Sequence, residues 1–351
     1  MRLNKSLKAY WATQAKKLEW SKPPKKILIK NENFQSWFSD GKINLYKNLI
    51  ENNLIFYPKK KFLFTLSKNN IFKSYSYEEV DTLVDNFIYY LKKNKKKKLQ
   101  KIVIHSSASI ESAVAMLACC KMNIFFSVIF EDLSLDAIKN RVKLFKPDLF
   151  ISRQDKNFFH QLRIKNLKCL KFSKLSAFKK IKSFKSKNLK SKDDFFCLFT
   201  SGSTGVPKGV VHSYGGYSVY ARYTCKEQFG MNKNSIVLTA SDAGWINGHT
   251  YALFGPLLCG SSTILLESPL LLLDNKNLFR IMNAGTTILY LPVTLIRLLK
   301  AANVKINSKY NNIKTLGSMG EPLASSVGQW FSKKFNLEKK AIVNTYFQTE
   351  T

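Results

Sequence analysis

The sequence predicts an α/β fold built from stacked sheets flanked by helices, and three observations carry that prediction. Short apolar runs alternate with helix-period segments from residue 62 to residue 152. The same alternation returns after residue 235, and a glycine- and hydroxyl-rich loop stands between the two blocks. Strand and helix in strict alternation make βαβ units and therefore parallel sheet. Two such blocks imply either two stacked sheets or two lobes with a cleft between them. With 351 residues, 45% of them hydrophobic, the chain can bury a substantial core, and its length suggests about two domains.

Residues 1–60 are aromatic and lysine-rich. Trp11, Trp20 and Trp37 are irregularly spaced and the turn-forming "SKPPKK" lies among them, which reads as an extended arm laid on a core. "KFLFTL" and "KSYSY" are strands joined by a turn at "SKNN", and "EEVDTLVDNFIYYLKK" has helical spacing. The densest lysine run, "LKKNKKKKLQK" (91–101), reads as a solvated loop. "KIVIHS" is a buried strand, "SIESAVAMLACCKM" a helix with Ser109 as N-cap, and "FFSVIF" a strand. "SLDAIKNRVKLFKP" is a helix stopping at Pro147, and "DLFIS" is again a strand. Residues 171–194, serine- and lysine-rich with little β-branched content, read as a surface connection. In the second block "SIVLTA", "SSTILLE", "TTILYLP" and "KAIVNTYF" are strands. "LLLDNKNLFRIMNA", "PVTLIRLLKAA" and "PLASSVGQWFSKKF" are the helices between them. No short-period repeat is present.

The net charge of +34, from 57 basic against 23 acidic residues, raises the question of a nucleic-acid or anionic-membrane partner. The excess is almost all lysine spread along the chain in the company of Asn, Ile and Phe, a pattern of compositional drift as much as of a binding surface. Without zinc spacing or an RNP-type aromatic motif, no nucleic-acid partner is expected. Lys121 and Asn123 interrupt the longest apolar run, "AVAMLACCKMNIFFSVIF", so no membrane association is expected either. Six cysteines without a CxxC pair read as small buried apolar residues of a reducing compartment. The N-terminus lacks an apolar h-region, which favours a cytoplasmic location over a transit peptide.

The loop "CLFTSGSTGVPKGVVHS" (197–213) is built to hold phosphate. It is not a Walker loop, because Pro207 stands where the second glycine belongs and Gly209 follows Lys208 where Ser or Thr is required. Nor is it G-x-G-x-x-G. What it offers is hydroxyls at Thr200, Ser201, Ser203 and Thr204, glycines at Gly202, Gly205 and Gly209, and one cation at Lys208. Glycines let backbone N–H groups turn toward an anion, hydroxyls donate further hydrogen bonds, and lysine adds a point charge. A flexible linker is the alternative, but linkers rarely hold Pro-Lys-Gly between two apolar strands.

"TSGSTGVPKGVVHS" resembles the phosphate-loop signature of the AMP-forming adenylation superfamily. "DAGWINGHTYALFGPLLCG" (242–260), "LGSMGEPL" (316–323) and "NTYFQTET" (344–351) resemble its acetyl-CoA and propionyl-CoA synthetase branch, and the arm is similar to the N-terminal segment of those enzymes. The resemblance implies an N-terminal arm over 1–60 and, over 61–351, the large N-terminal adenylation domain, incomplete, with the small C-terminal domain absent. It implies a two-step ligase: a short-chain carboxylate attacks the α-phosphate of ATP to give an acyl-adenylate and pyrophosphate, and CoA then takes the acyl group.

Carried over residue by residue, the resemblance assigns Thr200, Ser201, Gly202, Ser203, Thr204, Gly205 and Lys208 to the phosphates of ATP. It assigns Gly320, Glu321, Pro322 and Asn344, Thr345, Tyr346, Phe347, Gln348 and Thr349 to the adenine side of the nucleotide. Glu350 becomes the Mg²⁺ ligand. Trp245, Ile246, Asn247, Met319 and Phe347 become the acyl pocket, with Asn247 also a contact for CoA. Phe347 stands where acetate-specific relatives often carry Trp, which enlarges the pocket, while Ile246 and Met319 fill part of it, so acetate and propionate both stay open. Asn344 replaces an Asp, "EDL" (131–133) replaces a glycine pair, and the cations available for CoA phosphates are Arg153, Lys156 and Arg163. The family's catalytic lysine belongs to the C-terminal domain, so no catalytic residue is assigned and little ligase activity is expected of this chain alone. A non-catalytic nucleotide- or carboxylate-binding remnant and one half of a split ligase are the alternatives.

Overall fold

A computed structural model of the chain describes residues 5–30, 35–94, 99–172, 181–201, 206–306 and 311–350. The chain divides into two compact units. The first comprises Met1–Pro58, Glu78–Ser106 and Glu111–Tyr223, and the second Lys59–Tyr77, Ser107–Ile110 and Thr224–Thr351.

The first unit is organised by a six-stranded sheet in the order Lys168–Lys171, Leu149–Ser152, Lys101–His105, Phe125–Ile129, Asp194–Thr200, Lys208–Ser213. The first five strands run parallel and the last is antiparallel to its neighbour. Helices Ile110–Met122 and Leu135–Phe145 link the strands as expected. Ser134 caps the second of these, its Oγ accepting from Ala137 N at 3.3 Å, and Lys146 closes it in a left-handed conformation just before Pro147. Two elements were not legible in the sequence: helix Lys156–Leu162, capped by Asp155, and edge strand Lys168–Lys171.

The arm is not extended. It forms helix Lys5–Ala15 and hairpin Leu28–Lys30 with Gln35–Trp37, and strands Trp20–Lys22 and Lys42–Ile43 pair antiparallel. Irregularly spaced aromatics drive this, because they pack face to edge: Trp11 lies 5.1 Å from Tyr223 and 5.9 Å from Trp37 between ring centroids. Leu189–Lys190 adds a third strand to Lys42–Ile43, with Leu189 buried. The stretch expected to be a surface connection therefore contributes a strand at its C-terminal end. Residues 173–180 of that stretch and 95–98 of the lysine run lie outside the described residues.

Helix Ile110–Met122 is buried from Ser112 to Lys121. Its lysine is held by two carboxylates of helix Tyr77–Asn94: Lys121 Nζ donates to Asp81 Oδ1 at 3.0 Å and to Asp85 Oδ1 at 2.7 Å. Tyr46 of the N-terminal segment donates to Asp81 Oδ1 at 2.8 Å, and its ring centroid lies 4.7 Å from Lys121 Nζ. Phe184 N donates to Asp85 Oδ1 at 3.3 Å. Four separate chain segments thus meet on one buried ion cluster. Burial pushes the Asp85 carboxyl above its ordinary range, against the opposing pull of Lys121.

The second unit holds a seven-stranded sheet in the order Val343–Asn344, Thr315–Met319, Ile288–Pro292, Ile236–Thr239, Ser262–Leu266, Lys61–Leu66, Phe72–Ser76. All neighbours are parallel except the terminal hairpin Lys61–Leu66 with Phe72–Ser76. Helices Asn275–Asn283, Val293–Ala301 and Ser325–Lys334 connect its strands. Leu238, Ile264, Leu289, Leu316 and Phe331 lie in its main core. The strand expected over "KAIVNTYF" is confined to Val343–Asn344. Only Gly317 and Ser318 offer ladder partners there, and Thr345 N then donates to Ser318 O at 3.0 Å as the chain leaves the sheet.

All six cysteines are free thiols, four of them buried, and burial raises Cys197 to about 12 and Cys169 to about 11. Such thiols are poor nucleophiles. Among the described residues no helix is long and apolar enough to cross a membrane.

Candidate functional site

Parallel strands put all their carboxyl ends on one edge. In the second unit Ser262–Leu266 flanks the central strand Ile236–Thr239 on one side and Ile288–Pro292 flanks it on the other. Strand order reverses there, and in open α/β sheets ligands bind outside the carboxyl ends at such a switch point. Three sequence motifs leave the sheet at this edge: residues 240–247 after Thr239, Gly320–Pro322 after Met319, and residues 345–350 after Asn344.

The first motif turns tightly. Gly244 N donates to Asp242 Oδ1 at 2.8 Å, and a Cβ on Gly248 would lie 2.0 Å from Asp242 O, so only glycine lets the π-helical turn Gly248–Phe254 pack on the preceding loop. Ile246 is buried and Trp245 is 53% exposed. The second motif begins with Gly320 at φ +92°, a conformation that side chains other than glycine rarely adopt, and no atom lies within 4 Å of where a Cβ would stand. Glu321 is held by Arg297 at 3.3 Å. In the third, Asn344 Oδ1 accepts from Ser318 Oγ at 3.0 Å, Thr349 is buried, and Tyr346 is 85% exposed.

Met319 and Phe347 come together as the pocket reading requires. Met319 belongs to an apolar cluster with Tyr251, Tyr290 and Phe229, and Phe347 packs against it, its ring 5.6 Å from Tyr251 at 74°. Asn247 joins from the first motif, its Oδ1 3.4 Å from Tyr290 Oη. Tyr251 and Tyr290 are residues that sequence reasoning missed. A signal was present: Tyr290 is the one aromatic in the strand "TTILYLP", and Gly317 of "LGSMGEPL" is small because a Cβ there would come within 2.7 Å of the Tyr290 and Phe229 rings.

The phosphate loop belongs to the first unit, where it joins the antiparallel strands Asp194–Thr200 and Lys208–Ser213. Thr200 and Lys208 are ladder partners at its neck, Thr200 half-buried and Ser201 and Lys208 exposed. Gly202, Ser203, Thr204 and Gly205 lie outside the described residues. In the same unit Arg153, Lys156 and Arg163 flank helix Lys156–Leu162 at the carboxyl end of strand Leu149–Ser152. His105, buried at the end of the neighbouring strand, has Nδ1 2.7 Å from Ser152 Oγ and stacks on Phe158 at 5.0 Å. Burial pushes this imidazole down to about 4, with Asp132 opposing.

Among the described residues no group of three or more His, Cys, Asp and Glu side chains could hold a metal by itself. Magnesium needs no such cage when phosphate oxygens fill most of its shell, and one exposed carboxylate at Glu350 fits that requirement.

The sequence profile of the family described as AMP-binding enzyme matches residues 56–351. The chain belongs to the AMP-binding enzyme family. A second profile, acetyl-coenzyme A synthetase N-terminus, matches residues 2–49. Acetyl-coenzyme A synthetase of Helicobacter pylori (strain G27) is 30% identical over 385 aligned positions, covering 99% of this chain and 58% of that protein. The enzyme of the same name from Yersinia pestis (strain Pestoides F) is 31% identical, over 97% of this chain and 58% of its own length. The chain therefore spans somewhat over half the length of these relatives. Acetoacetyl-CoA synthetase from Streptomyces lividans superposes with a TM-score of 0.83 at 15% identity, covering 97% of this chain and 57% of that one, a likeness of fold. The AMP-binding enzyme fold thus has the mixed α/β architecture that the alternating sequence predicts.

Proposed function

We propose that this AMP-binding chain is the adenylating part of a short-chain acyl-CoA ligase. It would bind ATP and a small carboxylate, and direct the carboxylate oxygen onto the α-phosphate with departure of pyrophosphate. The observation that carries the reading is the convergence, at one switch-point edge, of an apolar cluster containing Met319 and Phe347 with the open backbone at Gly320. An apolar recess with a few convergent polar groups is what a small acyl chain joined to a nucleotide requires.

In this reading Ile246, Met319 and Phe347 enclose the acyl chain. Gly320–Pro322 and Asn344–Thr349 carry the adenine side of the nucleotide. Thr200–Gly205 and Lys208 offer hydroxyls, backbone N–H groups and one cation to the departing pyrophosphate, stabilising charge as it develops. Glu350 would hold Mg²⁺, which when bound neutralises triphosphate oxygens. Arg153, Lys156 and Arg163 are the cations available to CoA phosphates. One methylene in an apolar pocket changes binding by about 1–3 kcal/mol, so acetyl and propionyl ligands differ by a measurable ratio.

The test is calorimetric titration of the chain with AMP, Mg·ATP and the sulfamoyl analogues of acetyl- and propionyl-adenylate. Saturable 1:1 binding of an acyl analogue at least tenfold tighter than AMP, about 1.4 kcal/mol, is expected. Binding of AMP without any gain from the acyl group would overturn the ligase reading in favour of a nucleotide-binding remnant.

A further inference from the structure

The cluster beside Met319 and Phe347 contains one polar atom group that no motif accounts for, the Tyr290 hydroxyl. Tyr290 is fully buried on strand Ile288–Pro292, its ring packed 4.8 Å from Phe229 and 5.2 Å from Tyr251. Glycine at 317 clears the space for that ring, since a Cβ there would lie 2.7 Å from Tyr290 Cδ2. A buried phenol needs partners, and this one finds them on two different motifs: Asn247 Oδ1 at 3.4 Å and, in a short hydrogen bond, Thr345 Oγ1.

The protons of this chain can be assigned. Ser318 O already accepts from Thr345 N at 3.0 Å, so the Thr345 hydroxyl is at liberty to donate to the Tyr290 oxygen. The single phenolic proton then goes to Asn247 Oδ1. That engages the carbonyl end of the Asn247 amide and leaves its NH₂ end as the donor. Burial pushes the phenol well above its ordinary range, with the Thr345 hydrogen bond opposing, so it stays protonated and can donate throughout the neutral range.

We propose that Tyr290 is a positioning residue that fixes the Asn247 amide with its nitrogen presented to the acyl carboxylate, a specificity device for carboxylate-bearing ligands. The inference rests on the ligase reading above. Either amide orientation fits the same space sterically, yet only one gives a carboxylate a donor, and a carboxylate accepts hydrogen bonds only. Asn247, on its turn between Ile246 and Gly248, has no other residue in this chain of hydrogen bonds to set that choice. Thr345 completes the chain from the nucleotide side, so the acyl and adenine motifs are registered through one hydroxyl.

Tyr290→Phe removes the hydroxyl and keeps the ring. Calorimetry of the full chain with AMP and with the sulfamoyl analogue of acetyl-adenylate gives the decisive ratio. The variant should bind the analogue about tenfold more weakly, the scale of one lost net hydrogen bond, with AMP affinity changed less than about twofold. In an Asn247→Ala background the same substitution should change analogue affinity by less than about twofold, because the group being oriented is gone. A spectroscopic readout accompanies these: the Asn247 side-chain NH₂ resonances should shift on analogue binding in the wild type, and not in Tyr290→Phe. Equal weakening of both ligands, or additive losses in the double variant, reduces Tyr290 to a packing residue and overturns the proposal. A wild-type chain that binds AMP but gains nothing from the acyl group overturns the ligase reading itself, and this inference with it.

Discussion

Lys121→Met is the most informative perturbation of the framework. Lys121 is 2% exposed and its ammonium neutralises two carboxylates of one helix, Asp81 at 3.0 Å and Asp85 at 2.7 Å. Methionine matches its volume, so packing is preserved and charge is the main loss. Asp81 retains the Tyr46 hydroxyl, whereas Asp85 Oδ1 retains only Phe184 N at 3.3 Å. Removing one partner of a buried pair costs about 3–5 kcal/mol, a large fraction of a typical domain stability of about 5–15 kcal/mol.

The loss should depend on pH with a definite sign. The Asp85 carboxyl is already raised by burial, and Lys121 is what restrains it. Without Lys121 the folded variant takes up a proton that the unfolded chain releases above about pH 4. Stability of the variant therefore falls as pH rises, until the folded carboxyl itself ionises, and the gap from wild type widens in the same direction. Urea denaturation at pH 5 and pH 7.5 measures both gaps. Lys121→Met/Asp85→Leu should recover much of the loss, because an apolar replacement of a buried ion pair is often close to neutral. A gap under about 1 kcal/mol, or one that does not widen with pH, would refute the reasoning that this cluster is buried and charge-coupled.

Gly317→Ala places a methyl 2.7 Å from the Tyr290 and Phe229 rings; a loss of about 1–3 kcal/mol in thermal unfolding is expected, together with weaker binding of an acyl-adenylate analogue. Gly320→Ala meets no neighbour within 4 Å but must hold φ +92°. It should cost about 1–2 kcal/mol of stability and weaken AMP binding in the same calorimetric assay. Lys208→Ala should weaken Mg·ATP binding while leaving AMP affinity within about twofold, since only the longer ligand carries the pyrophosphate charge. His105, held near 4 in the fold by burial, contributes stability that is present at neutral pH and lost as pH falls through the window from about 6.5 to about 4. Denaturation curves of His105→Gln should show a shallower loss across that window than the wild type.

Much of the architecture was legible because its signals are local. Period-two and period-3.6 apolar patterns placed Lys101–His105, Phe125–Ile129 and Leu149–Ser152 with their connecting helices, and Ser134 and Lys146 bound one helix as its sequence predicts. Elements that depend on remote partners were not legible. Leu189–Lys190 is a strand because Lys42–Ile43 is available to pair with it, and "KAIVNTYF" keeps only two strand residues because Gly317–Ser318 offers only two partners. The N-terminal arm folds because Trp11 finds Trp37 and Tyr223, contacts that no short-range pattern encodes.

The sequence by itself determined the chemistry of the motifs: a hydroxyl- and glycine-rich loop ending in Lys208, the "GEP" turn, and the "NTYFQTET" run with its single carboxylate. It also determined the family, because such motifs are contiguous residues whose identities can be read directly. Only the tertiary structure decided that residues 240–247, Gly320–Pro322 and 345–350 leave one sheet edge at its switch point. It alone showed that Lys121, which in sequence merely interrupts an apolar run, neutralises two buried carboxylates. It alone brought Tyr290 between Asn247 and Thr345. Those residues lie 43 and 55 positions from Tyr290 along the chain, and hydrogen bonds over such separations form only once parallel strands have fixed which side chains become neighbours.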